Sequence, residues 1–219
     1  MSDVPEVYHP AEELANRLTH GIGAVLSVAG LVLMVVYSAL YGDAWIVTST
    51  AIFGASLVIL YTASTLYHTF KSDRMRRFFQ KLDHSAIFLL IAGTYTPFTL
   101  GPLRGGWGWT LFGIVWGFAV VGVVLKLFFA GKADVLSTIA YLVMGWLVVI
   151  AIKPLVAALP PGALWWLIGG GLSYSLGTIF YLWEKLPFNH AVWHLWVLGG
   201  SVCHWIAVFG YLVPSAKAA

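Results

Sequence analysis

Seven stretches of this chain are long and apolar enough to cross a lipid bilayer, and that pattern constrains the fold before any residue is considered singly. They fall at about residues 18–41, 44–69, 84–101, 107–129, 134–157, 163–183 and 189–213, the third being short and containing Pro97. A spanning helix takes roughly 20 residues, so seven spans with short connections use up the 219 residues and leave no length for a second domain. Only 10% of the residues are charged, against about 25% in a soluble domain, which excludes a soluble core of this size. The expected fold is an all-α membrane protein, a seven-transmembrane helix bundle.

Breakers and polar residues separate the runs: Gly42-Asp43, the segment from Lys71 to Asp83, Gly105-Gly106, Gly131-Lys132-Ala133-Asp134, Pro160-Pro161-Gly162 and Glu184-Lys185-Leu186-Pro187. Ahead of the first run, residues 1–17 are polar. Pro10, Glu12 and Glu13 suit a short helix start at the membrane surface, and residues 214–219 form a tail. The first apolar run lacks a basic leader and a small-residue cleavage pattern, so it is expected to be retained. Gly113-x-x-x-Gly117 and the series Gly169-Gly170-Gly171 through Gly177 predict close helix packing. Cys203 is the only cysteine; it permits no intrachain disulfide and reads as a small buried residue.

Orientation follows from the basic residues. Arg17, Lys71, Arg74, Arg76, Arg77, Lys81, Lys126, Lys132 and Lys185 make nine on one side, while Arg104, Lys153 and Lys217 make three on the other. By the positive-inside rule the nine-residue side is cytoplasmic, with the N-terminus inside and the C-terminus outside. The same rule accounts for the net charge of +3, so nucleic acid is not an expected partner.

Four polar groups then stand at one depth on the cytoplasmic side, although histidine played no part in assigning that side. They are Glu13-x-x-Asn16-x-x-x-His20, Ser64-x-x-x-His68, Asp83-His84 and His190-x-x-x-His194. Polar groups at membrane ends are costly unless paired, wetted or metal-bound. Residues four apart on a helix are rotated by only about 40°, so His190 and His194 can chelate one metal, with His68 as a third nitrogen. Three imidazoles and a water form the open arrangement of catalytic Zn2+, which lowers the pKa of that water toward about 7. Asp83 is the expected base. His204 lies about 15 Å deeper than His194 and reads as a buried, hydrogen-bonded histidine. His84 reads as a supporting residue and His9 as a surface one, while Glu13, Asn16 and His20 carry no assigned role.

The same motifs carry a resemblance. Glu13 to His20, Ser64-Thr65-Leu66-Tyr67-His68, Lys81 to Phe88 continuing through Gly93-Thr94-Tyr95-Thr96-Pro97-Phe98, and His190-Ala191-Val192-Trp193-His194 resemble the bacterial hemolysin III branch of the progestin and adipoQ receptor (PAQR) family. The resemblance spans nearly the whole chain. It implies a multi-pass protein of the cell inner (plasma) membrane with seven helices, a cytoplasmic N-terminus and a zinc site near the cytoplasmic face. By that resemblance His68, His190 and His194 are the metal ligands, and Asp83 and Ser64 stand close to the bound water as catalytic residues. The wider superfamily includes zinc-dependent ceramidases, which implies lipid amide hydrolysis with a membrane lipid as substrate or ligand. Two other functions are compatible with the resemblance: a non-enzymatic membrane homeostasis factor or sensor with a structural zinc, and a cytolytic protein. The clustering of polar groups at one end, instead of along a channel, disfavours the last.

Overall fold

The computed structural model describes residues 8–129 and 134–215, all helix or short connection, with no strand among them. The helices are α1 (Pro10–Tyr41), α2 (Ala44–Tyr67), α3 (Asp73–Leu100), α4 (Gly106–Phe129), α5 (Asp134–Trp146), α6 (Ile152–Ala158), α7 (Pro161–Tyr181), α8 (Asn189–Ala207) and α9 (Val213–Ser215). A 3₁₀ segment, Leu147–Ala151, joins α5 to α6, and a π turn, Val208–Leu212, joins α8 to α9. The expected breaker Gly131-Lys132-Ala133, the basic residues Lys132 and Lys217, residues 1–7 of the N-terminal segment and 216–219 of the tail lie outside the described residues.

Local chemistry sets several ends. Pro10 stands in the first turn of α1, where its missing N–H costs nothing, and the His9 ring accepts from the Ala11 N–H (3.3 Å). Asp43 caps α2, its carboxylate accepting from the Ile46 N–H at 2.8 Å. The α1 helix runs unbroken from Pro10 through the boundary expected near residue 17. One expectation is corrected: the basic segment from Lys71 to Asp83 is not a connection, because α3 begins at Asp73. Its Arg, Lys and Gln residues are good helix formers, and charge alone does not break a helix.

Six helical spans among the described residues are long and apolar enough to cross a membrane: Pro10–Tyr41, Ala44–Tyr67, Gly106–Phe128, Val135–Ala158, Pro161–Tyr181 and Asn189–Leu212. The expected third span is the exception, and its surroundings explain why. The α3 helix is packed along α2 and α4 and also meets α5, and from Ala92 to Leu100 every residue is buried. Its Thr94, Thr96 and Thr99 hydroxyls donate to the carbonyls of Leu90, Ala92 and Tyr95 at 2.8–3.0 Å. A helix that meets protein on its flanks needs less apolar surface than one facing lipid. By contrast, Val25 on α1 and Val120 and Val121 on α4 point outward. The chain is a multi-pass membrane protein.

The fifth span is not one helix. Pro154 has no N–H to give the carbonyl four residues back, and the chain tightens into the 3₁₀ segment just before it. Tyr95 of α3 repairs the break: its hydroxyl donates to the Gly145 carbonyl (2.7 Å) and accepts from the Val148 N–H (2.8 Å). In a bilayer such freed backbone groups must find protein partners.

The two small-residue series behave differently. A Cβ on Gly177 would lie 2.7 Å from the Trp196 Cβ and 2.8 Å from the Trp193 ring, so α7 and α8 approach closely there, as expected. Gly113 and Gly117 have open space beside them, so that motif packs against nothing among the described residues. Gly177→Ala is therefore expected to destabilise by about 1–3 kcal/mol through overpacking. Gly113→Ala should be neutral or stabilising by up to about 1 kcal/mol from helix propensity. Thermal unfolding of the two variants in one detergent checks the contrast.

Candidate metal centre

Three imidazoles from two distant parts of the chain converge at one end of the bundle. His68 closes the C-terminal end of α2, while His190 and His194 occupy successive turns at the start of α8. One ring nitrogen from each lies within 4.8 Å of the others, all three residues are buried, and together they could hold a metal ion. The ring centroids are 5.1 Å apart for His68 and His190, 5.3 Å for His68 and His194, and 4.5 Å for His190 and His194. The one-turn spacing read from sequence thus brings its two rings together, and the α1–α2–α8 packing brings in the third.

The donor chemistry fits a metal. His68 Nδ1–H donates to Glu13 Oε2 at 2.7 Å, which leaves Nε2 as the bare nitrogen; Nε2 is buried and has no hydrogen-bond partner. His194 Nδ1 meets the Asn16 carbonyl at 3.2 Å, and a carbonyl can only accept, so here too the proton is on Nδ1 and Nε2 carries the lone pair. Thr19 donates its own proton to the Ala15 carbonyl (2.9 Å) and accepts from the same His194 nitrogen (3.1 Å). His190 Nδ1 pairs with the Tyr8 hydroxyl at 3.1 Å. An outer partner on Nδ1 fixes tautomer and ring orientation, the usual support of a metal-binding histidine.

Glu13 is the residue whose importance sequence reading missed. Its carboxylate bridges two helices, accepting from His68 through one oxygen and from Arg76 of α3 through the other. Arg76 in turn lies over the Tyr67 ring, 5.2 Å from its centroid. The sequence placed Glu13, Asn16 and His20 on one helical face, but nothing in it said which side chains that face would meet. Glu13→Ala is expected to weaken metal binding about 10–100-fold with the bundle intact, measured by competition with a chelator.

The turn before α8 is held from the same face of α1. Phe188 has φ 57°, a left-handed conformation costly for a bulky side chain, and its N–H donates to Glu12 Oε1 at 2.8 Å. That contact sets where α8 starts, two residues before His190.

Beside the imidazoles a cavity of about 130 Å³ opens into the bundle. Its polar end carries His190, His194, Asp83 and Ser64, and Leu90, Ile91, Leu142 and Val197 are among its apolar walls. Asp83 is 7% exposed and Ser64 fully buried, and the Ser64 hydroxyl stands against the Asp83 carboxyl. His20 also lines this end, stacked on His194 with centroids 3.4 Å apart. His84 lines the wall next to Asp83, and His204 lies toward the other end, where its Nε2–H donates to the Leu167 carbonyl (3.2 Å). His204 is thus the buried, hydrogen-bonded residue expected. Cys203 is only partly buried.

Comparisons with known proteins agree with the resemblance carried by these motifs. The profile described as "Haemolysin-III related" matches residues 8–205. The chain is 51% identical over 202 residues to a hemolysin-3 homolog of Bacillus subtilis (strain 168), covering 92% of this chain and 95% of that one. It is 48% identical over 206 residues to hemolysin-3 of Bacillus cereus, covering 94% of each. Similarity extends to the human monocyte to macrophage differentiation factor, at 29% identity over 214 residues, 93% of this chain and 86% of the other.

Proposed function

We propose that this chain, which belongs to the haemolysin-III-related family, is a zinc-dependent hydrolase of lipid amides whose site faces the cytoplasm from the plasma membrane. The observation that carries the reading is the convergence of three imidazoles, two of which line the polar end of one apolar cavity together with a buried carboxylate and a buried hydroxyl. In this reading α3 is the seventh span, the N-terminus is cytoplasmic and the C-terminus lies outside, in line with the nine-to-three split of Lys and Arg. The proposed metal ligands are His68, His190 and His194. Zn2+ suits three neutral nitrogen donors with one position left open, and Glu13 and the Asn16 carbonyl fix the tautomers that leave the lone pairs of His68 and His194 on Nε2.

When bound there, zinc supplies Lewis-acid polarisation and makes water a nucleophile at neutral pH. The remaining chemistry belongs to the chain. Asp83 is the general base, its carboxylate taking a proton from the attacking water and returning it to the leaving amine nitrogen. Ser64, beside Asp83, orients the amide carbonyl. The apolar walls receive the acyl chain and keep bulk water from the reacting bond.

Fatty-acid release from a panel of N-acylated lipids by purified, zinc-loaded protein tests the proposal. Release from at least one N-acyl lipid, lost on chelation and regained with zinc, is the expected result. Full zinc occupancy with no release from any member would overturn it. A second reading rests on the fact that the same imidazoles join α2 to α8: a structural zinc in a membrane homeostasis factor or sensor uses the same ligands.

A further inference from the structure

At the cavity end away from the imidazole cluster, three hydroxyl groups share too few hydrogen bonds. Tyr61 of α2 donates to Ser201 Oγ at 2.8 Å, and Ser201 Oγ pairs with the Tyr174 hydroxyl, also at 2.8 Å. Three hydroxyl hydrogens thus serve two hydrogen bonds, so one donor is left over, on Tyr174 or on Ser201 beside it. Tyr174 lines the cavity.

His204 completes the arrangement with the opposite deficit. Its ring lies 5.5 Å from that of Tyr174 and also lines the cavity. Because Nε2 faces the Leu167 carbonyl, an acceptor only, the proton is on Nε2 and Nδ1 carries a lone pair. Nδ1 is buried with no hydrogen-bond partner, and His204 as a whole is 7% exposed. The close approach that makes the Leu167 contact depends on Gly170, where a Cβ would fall 2.4 Å from the His204 ring. An unmatched donor and an unmatched acceptor, side by side in a low-dielectric interior, are costly. The smallest single group that answers both is a hydroxyl, which accepts through oxygen and donates through hydrogen.

We propose that Tyr174, Ser201 and His204 form a second polar subsite that recognises a hydroxyl carried partway along the acyl chain of the lipid in this cavity. The subsite lies ten residues along α8 from His194, about 15 Å at the helical rise, with the apolar side chain of Val197 on the wall between. The recognised ligand is therefore a lipid with a polar head, an apolar stretch and a hydroxyl beyond it. This rests on the reading of the cavity as a lipid site, though not on whether the lipid is hydrolysed.

The test compares binding of fatty acids of one chain length, unsubstituted or carrying a single hydroxyl at successive positions. The protein is full-length and zinc-loaded in detergent, and binding is followed by displacement of a fluorescent fatty acid. The expected result is about tenfold tighter binding for a hydroxyl at one mid-chain position than for the plain chain, the size of one or two net hydrogen bonds. Tyr174→Phe combined with Ser201→Ala removes both hydroxyls that can present the spare hydrogen and should bring the ratio of hydroxylated-chain to plain-chain affinity toward parity. Equal binding of all chains by the wild type would overturn the subsite while sparing the lipid reading, and would mean that these groups are answered by ordered water only. Binding of no chain would overturn both. Because the comparison among chains is made on the wild type, a double variant that fails to fold does not blunt it.

Discussion

Asp83→Asn is expected to keep its metal and lose lipid amide hydrolysis by about 10²–10⁴-fold, the range spanned by loss of a positioned general base. The asymmetry between the two readouts follows from where Asp83 sits. It lines the cavity at its polar end but is not among the three residues whose nitrogens converge. A carboxamide fills the same volume and makes similar hydrogen bonds, so the packing around a residue only 7% exposed is conserved, while the capacity to take a proton is gone. Metal content by elemental analysis and fatty-acid release on one preparation give both numbers. If the metal only tied helices together, Asp83→Asn would leave metal content and cellular phenotype alike at wild-type levels.

His190→Ala/His194→Ala removes two of three imidazoles from one helix, and purified protein is expected to lose nearly all bound metal and all turnover. One remaining nitrogen, His68, makes no chelate. The loss should exceed that of Glu13→Ala, because Glu13 orients a ligand and donates none to the metal. Retention of stoichiometric metal by the double variant would mean that other residues supply the site.

How much of this was legible beforehand depended on whether the signal was local. Apolar runs and breakers gave the order of the helices, and the one-turn spacing of His190 and His194 gave a chelating pair, because both are properties of contiguous residues. The depth at which His68 and Asp83 join that pair followed from counting spans. The extent of α3 was not legible: the charged segment from Lys71 to Asp83 looks like a connection, yet it is the first turns of a helix. That helix also carries fewer apolar residues than a span facing lipid, since its neighbours and not lipid surround it. The break at Leu147–Ala151 is mended by Tyr95 from another helix, a partner no window of sequence contains. Glu13 is the clearest case. Its face was readable, but its pairing with His68 and Arg76 crosses 55 and 63 residues of chain and exists only once α1, α2 and α3 are packed.

The proposed zinc ligands are the Nε2 atoms of His68, His190 and His194. Zinc-edge X-ray absorption on the wild-type protein, purified without added metal, reads that ligand set. About one zinc per chain with three imidazole nitrogens around it is the expected result. Protein that stays folded and carries no zinc after reloading, or a zinc whose neighbours are oxygen alone, would contradict it.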